Sequence, residues 1–417
     1  MNVLEQNAGD RLLVVSADCH AGPEHFTDYA HYMENRWQAD FAEYLQTVST
    51  WESARSDARS TKGGAKSRPG DEGLWSSEAR LAYLDADGIS AEIIFIQGAV
   101  PFGPYPAIAV PGVRPAQVQA SPAQTAAGCR AYNRWLAQLC DNAPERHIGV
   151  AQIPIDDIPA AVAEVELARK AGLRGGVQLP AMTRTDLPAY NHPAYEPLWE
   201  VCAALEMPLN LHGGARMFYD PAPEALALVL AEVDWFSRRS LAYLIFSGVF
   251  ERHRRLNFAV TEQRCHWVAP MLRELDSIAE SPRTRSLRER ISRKPSEYFA
   301  TNGYVGASFM SRLECEDRHS IGVHKLMWGS DFPHEEGTWP WTAAALSNTF
   351  GGDVPLADIK AMIGGNAIHC YRLDEEVLRP IAERVGPGLS LFSQRQPIPS
   401  DEGTEYSWAF RRSGAWA

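Results

Sequence analysis

Eight short apolar or β-branched runs recur along the 417 residues, most of them separated by longer amphipathic stretches. They are Leu12–Ala17, Ala91–Ile96, Ile148–Ile153, Gly175–Leu179, Pro208–Leu211, Leu256–Thr261, Tyr298–Thr301 and Lys325–Gly329. Each is too short for a core helix and is bounded by polar residues or by Gly and Pro, which reads as a strand. Between them, Ala160–Ala171 is Ala-rich with charges on one face and Gly172 as its stop; Pro197–Leu205 and Ile359–Ile363 read in the same way. Strands alternating with helices imply parallel strands joined by crossovers. Eight such units favour a closed (β/α)₈ TIM barrel over an open doubly wound sheet. No G-x-G-x-x-G follows any early strand.

Three stretches break the repeat. Residues 21–74 end in the Gly/Ser/Lys-rich TKGGAKSRPGDEG, residues 98–115 are rich in Pro and Gly, and an extension runs from about residue 374 to 417. Long loops that follow barrel strands commonly serve as lids or pocket walls. For residues 55–73 plain surface disorder is an equal reading. A single barrel domain over residues 1–417 accommodates all three, since α/β barrels exceed the usual domain size.

Composition narrows the function classes. The formal net charge of −12 offers no basic face for nucleic acid or an anionic membrane. The seven cysteines are scattered with no C-x-x-C pair, so reduced thiols are expected rather than disulfides or a structural zinc site. The N-terminus lacks a basic and apolar leader, and no apolar run nears the ~20 residues of a membrane span. A cytoplasmic protein acting on a small molecule is expected.

The chemistry concentrates at strand ends. Asp18, His212, Glu262 and Asp331 each stand at or just after the end of a candidate strand, the face where barrel enzymes carry their sites. Asp18 and His20 flank Cys19, and in extended chain residues i and i+2 share a face. Both can therefore point into the barrel and offer a carboxylate and an imidazole to a divalent ion. Taken singly, each residue has an ordinary explanation: a surface turn for Asp18 and His20, a satisfied core histidine for His212, a turn aspartate for Asp331. Their shared placement makes the set. Glu262 reads as a carboxylate that orients a ligand or takes a proton, or as an ion-pair partner of Arg264 or Arg216. His334 reads as an acid/base or a loop residue.

The sequence resembles the amidohydrolase-2 family, the branch of the amidohydrolase superfamily that includes aminocarboxymuconate semialdehyde decarboxylase. The resemblance spans nearly the whole chain. It is carried by SADCH, AYNRWLAQLCDNAPERHIGVAQIP, LNLHGG, FERHRRLNFAVTEQ, LMWGSDFPHEEGTWP and GGNAIHCY. It implies a metal-binding barrel with one divalent ion held by Asp18, His20, His212 and Asp331, zinc first and manganese as the alternative. It also implies a homodimer.

Two departures bear on the reaction. The first ligand is a carboxylate where many superfamily members carry histidine, and Glu262 stands where family decarboxylases carry a histidine. A carboxylate there does not polarise a substrate that is losing CO₂. These features point to hydrolysis, with Asp331 taking the proton of a metal-activated water, Glu262 sharing it and His334 nearby. Decarboxylation of an aromatic or unsaturated acid is the alternative, and a degenerate non-catalytic barrel is the third reading. Arg216 and Asn302 are the expected clamps for a substrate carboxylate. Phe102, Tyr105, Phe218, Tyr219, Tyr304 and Trp339 are the expected aromatic walls, although ordinary lid packing explains most of them equally well.

Overall fold

The computed structural model describes residues 11–59, 70–103, 119–180, 187–213, 219–412 and 416. Eight parallel strands run in sequence order: β1 (Val15–Ala21), β2 (Ala91–Ile96), β3 (His147–Gly149 continuing as Ala151–Gln152), β4 (Val177–Leu179), β5 (Leu209–His212), β6 (Phe258–Thr261), β7 (Gly303–Ser308) and β8 (Leu326–Gly329). The two halves of the sheet join within β3, where Val150 N donates to Ile94 O at 2.9 Å and Ala151 N to Gly176 O at 2.9 Å. The ring closes between β8 and β1, where Asp331 N donates to Asp18 O at 2.9 Å and His20 N to Phe332 O at 2.8 Å. The fold is the expected TIM barrel.

The strands are apolar on both faces because both are covered. Val15, Ala17, Ile93, Phe95, Val150, Ala259 and Met327 fill the barrel's interior. The alternating positions Val14, Ile94, Ala151, Leu209 and Val260 pack outward in the larger core shared with the helices. Those helices start where the chain supplies caps: Ser76 accepts from Ala79 N and Asp157 from Ala160 N.

Two strand assignments shift. β1 runs to Ala21, so Asp18 and His20 lie within it rather than beyond it, and its ladder with β2 changes register between Ser16 and Cys19. Tyr298–Thr301 is not a strand but the end of the helix Pro295–Asn302. Pro295 and the Lys294/Glu297 capping box start that helix, and the seventh strand is the glycine-interrupted GYVGAS that follows.

Of the insertions, residues 38–59 form a helix, while residues 60–69 and 104–118 lie outside the described residues. All seven cysteines are free and buried. Among the described residues no helix is long and apolar enough to cross a membrane.

Candidate metal centre

Strand phasing brings the expected ligands to one end of the barrel. Asp18 and His20 project from β1, His212 ends β5, and Asp331 stands two residues beyond β8. Ligand atoms of Asp18, His20 and His212 fall within 4.8 Å of one another, as do those of His20, Asp331 and His334. Close approach of β8 to β1 needs Gly329, because a Cβ there would sit 2.8 Å from the Asp18 Cβ.

His20 is presented in one tautomer. His20 Nδ1 lies 3.0 Å from the Ile96 carbonyl, which can only accept, so Nδ1 carries the proton and Nε2 keeps its lone pair. That Nε2 lies 3.2 Å from Asp331 Oδ1 and 3.6 Å from Asp18 Oδ1. His212 Nε2 lies 3.1 Å from Asp18 Oδ1, and its Nδ1 lies 3.2 Å from Glu262 Oε2. Ser308 donates to the other Asp18 oxygen.

His334 stacks on His20 with ring centroids 4.1 Å apart. Its Nδ1 is 3.0 Å from Asp331 Oδ1, and its Nε2 is 2.7 Å from Gln97 Oε1.

Buried charges at this density perturb one another strongly. Burial opposes protonation of His212, but Asp18 and Glu262 outweigh it and lift the imidazole to about 9. Burial opposes it at His334 too, and Asp331 overcomes it to reach about 10. Burial and the neighbouring His334 push His20 down instead. For Asp331 burial raises the carboxyl, yet His334 and His20 hold it well below the ordinary range. Burial drives Glu262 up to about 8 against the pull of His212.

An observation internal to the site bears on a metal. His20 Nε2, both Asp331 carboxylate oxygens and His334 Nδ1 are buried and, although the nitrogens lie within 3.2 Å of Asp331 Oδ1, none makes a well-aligned hydrogen bond among the described residues. Buried polar atoms are normally satisfied, and four orphans converging in one place fit a cation.

The remaining expected residues divide. Glu262 and His334 stand in the cluster. Arg216, Tyr105 and Phe218 lie outside the described residues. Asn302 belongs to the opposite end: it closes a helix and donates to Arg254 O at 2.9 Å and Leu256 O at 3.0 Å, which leaves it no access to a substrate. Tyr304 is the second residue of β7, deep in the barrel with Lys325 Nζ 4.5 Å from its ring, because the strand begins later than expected. Phe102 is buried against Phe41 and Tyr44, and Trp339 packs on Tyr83 and Phe332, both as lid packing.

Sequence reasoning missed Gln97, Ser308 and Arg80. Gln97 follows β2 directly and was legible as a strand-end residue; Ser308 was hidden by the misplaced seventh strand. Fully buried Arg80 donates to His20 O at 2.7 Å and pairs with Glu92, which also meets His147 Nδ1 at 2.9 Å. Nothing in the spacing of those three residues announces the contact.

The gamma-resorcylate decarboxylase of Rhizobium sp. (strain MTP-10005) is 26% identical over 275 residues, 62% of this chain and 77% of that protein. The gamma-resorcylate decarboxylase of Rhodococcus jostii (strain RHA1) is 26% identical over 225 residues, 49% of this chain and 66% of that protein. The crystal structure of 5-carboxyvanillate decarboxylase LigW from Sphingomonas paucimobilis superposes with a TM-score of 0.60 at 20% identity, covering 87% of this chain and 100% of that one. The dihydroxybenzoic acid decarboxylase from Polaromonas sp. JS666, with bound manganese and the inhibitor 2-nitroresorcinol, gives 0.56 at 19% identity over 87% of this chain and 97% of that one. At these identities the solved structures establish the shared fold.

The expectation of hydrolysis is overturned by the curated relatives, which are decarboxylases rather than hydrolases. The amidohydrolase family profile matches residues 101–373, and the chain belongs to the amidohydrolase family.

Proposed function

We propose that the chain is a metal-dependent, non-hydrolytic decarboxylase of a hydroxylated aromatic acid. The observation that carries this reading is the shared name of the curated relatives, gamma-resorcylate decarboxylase, at 24–26% identity. The site supports it with Asp18, His20, His212 and Asp331 as ligands of one divalent cation. Two carboxylates and two imidazoles suit manganese or zinc, and the manganese bound in the Polaromonas relative's structure favours manganese.

When bound, such a cation supplies a Lewis acid for the substrate carboxylate and a neighbouring phenolic oxygen. Asp331 delivers a proton to the ring carbon that carries the carboxylate. The electron pair of the breaking C–C bond stays on the ring, the carboxylate departs as CO₂, and the ring carbon keeps the new hydrogen. That proton comes from His334, raised to about 10 and 3.0 Å from Asp331: it passes to the carboxylate before delivery and is replaced from solvent, while Gln97 fixes the far side of the imidazole. Glu262 holds Nδ1 of His212 and so aims its Nε2.

The test is to incubate manganese-loaded protein with 2,6-dihydroxybenzoate and 5-carboxyvanillate in ¹⁸O-water. CO₂ release with an unlabelled decarboxylated arene is expected. Label in the aromatic product, or no CO₂ from any hydroxybenzoate by protein carrying stoichiometric metal, overturns the reading.

A further inference from the structure

Strands β6, β7 and β8 end alike: Glu262, Phe309 and Asp331 all adopt left-handed backbone, with φ of 51°, 43° and 59°. None is glycine, and such residues cost on the order of 1–3 kcal/mol each unless their surroundings hold them. Two of the three belong to the candidate metal centre. Besides contacts within the barrel, part of what surrounds them comes from beyond residue 373, where the family match ends.

The segment 404–411 contacts the β7 and β8 loops, and Trp416 reaches the β6 loop. Over the β8 loop, Trp408 N donates to Glu336 O at 2.9 Å and Ser407 Oγ to Gly337 O at 2.7 Å. The Glu336 carboxylate itself falls within 4.8 Å of ligand-type atoms of Glu262, Asp331 and His334. Over the β7 loop, buried Arg411 donates to Phe309 O at 2.9 Å and to Trp408 O at 2.6 Å, and pairs with buried Glu314. Phe309 is boxed by Trp408 and Trp416, at centroid distances of 5.5 and 5.2 Å. The β6 loop is reached directly by Trp416 and, through Glu314, by Arg411. Cys265 N donates to Glu314 at 3.1 Å, and the Arg264 guanidinium lies 5.7 Å from the Trp416 ring centroid.

We propose that this C-terminal segment is a positioning strap: Arg411 and Trp408 lock the left-handed ends of β6, β7 and β8 and thereby set where Glu262, Asp331 and His334 stand. Arg411 acts through Phe309 and Glu314 and does not touch the ligand cluster. Its fork satisfies a carbonyl and a carboxylate together, which a lysine's point charge cannot do with the same geometry. The metal readout of the proposal rests on the reading of the site above; the backbone readout does not.

The experiment compares wild type with Arg411→Ala, Arg411→Lys and Trp408→Ala by Mn²⁺ titration of metal-stripped protein and by amide hydrogen exchange. Arg411→Ala is expected to weaken Mn²⁺ binding about 10- to 100-fold, as loss of supporting contacts around a metal does. Amides of residues 306–314 and 330–338 should lose protection, and Arg411→Lys should fall between the two. Wild-type Mn²⁺ affinity and intact protection at 330–338 in a folded Arg411→Ala protein would overturn the strap, whatever its melting temperature. If that variant does not fold, Trp408→Ala carries the same two readouts while leaving the Arg411–Glu314 pair in place. If wild type binds no Mn²⁺, the site reading falls, and exchange at 330–338 still decides the strap.

Discussion

His212 is held from both sides: Nδ1 lies 3.2 Å from Glu262 Oε2, while Nε2 lies 3.1 Å from Asp18 Oδ1. The glutamate fixes which nitrogen is free. Gly213 makes room for it, because a Cβ at that position would collide with the Glu262 carboxylate. Removing the acceptor with Glu262→Ala should weaken Mn²⁺ binding on the order of 10- to 100-fold. Glu262→Gln keeps an oxygen for Nδ1–H and should stay within a few-fold of wild type. Calorimetric titration of metal-stripped protein distinguishes them; equal affinities for Ala and wild type would remove Glu262 from the site.

Asp331 offers a sharper separation of proton transfer from folding. Its φ of 59° is one that Asn adopts more readily than most residues, so Asp331→Asn leaves the backbone undisturbed. The amide cannot deliver a proton, and kcat for CO₂ release should fall by about 10²- to 10⁴-fold. Because His334 and His20 hold this carboxyl below its ordinary range, the stripped variant should melt lower than wild type at pH 7, and turnover is compared at a temperature where both are folded. A variant that keeps more than a tenth of wild-type turnover would rule out Asp331 as the proton donor.

The barrel was legible because strands covered on both faces are written as unbroken apolar runs, and AEIIFI and LNFAVT are such runs. The convergence of Asp18 and His20 was legible because alternation along a strand puts them on one face. GYVGAS failed for the opposite reason: two glycines dilute the apolar signal, while YFAT one turn earlier mimics it. That single displacement carried Asn302 and Tyr304 to the wrong end of the barrel. The C-terminal contacts were illegible because they are isolated side-chain-to-carbonyl bonds between segments about 100 residues apart, with no periodicity to betray them. The upward push of burial on the Glu262 carboxyl was illegible because burial is a tertiary property.

Arg80 and Glu92 form a fully buried pair beside β1, with His147 Nδ1 2.9 Å from the carboxylate. Burial pushes Glu92 up, but Arg80 and His147 overcome it and hold the carboxyl at about 2. A depressed folded-state value means the stability is present above the unfolded value of 4.5 and is lost as pH falls towards about 2. Arg80→Met strands the carboxylate and should cost about 3–5 kcal/mol at pH 7. The same variant should lose the acid-side slope in urea unfolding between pH 5 and 3, to within about a pH unit. Because Arg80 also donates to His20 O, its loss should loosen β1 as well. An Arg80→Met protein as stable as wild type at pH 7 would contradict this.

Asp87 runs the other way. Burial raises its carboxyl from 3.8 to about 7, and one hydrogen bond from Thr342 Oγ1 at 2.6 Å only partly offsets that. A raised folded-state value means stability is full below pH 3.8 and declines as pH rises towards 7, because only the unfolded chain releases the proton freely in that window. Asp87→Asn keeps an oxygen for Thr342 and has nothing to ionise. It should therefore match wild type near pH 4 and be the more stable protein at pH 8, in unfolding curves with the metal removed. Thr342 Oγ1 is also 2.8 Å from Thr338 Oγ1, and Thr338 N donates to Ser330 O at 2.8 Å, so this hydrogen-bond chain ends at the base of the Asp331 loop. Ionisation of Asp87 should then be felt there as faster amide exchange at residues 330–338 above pH 7, absent in Asp87→Asn. Identical pH–stability curves for the two proteins would mean that Asp87 ionises in the fold as easily as in the open chain.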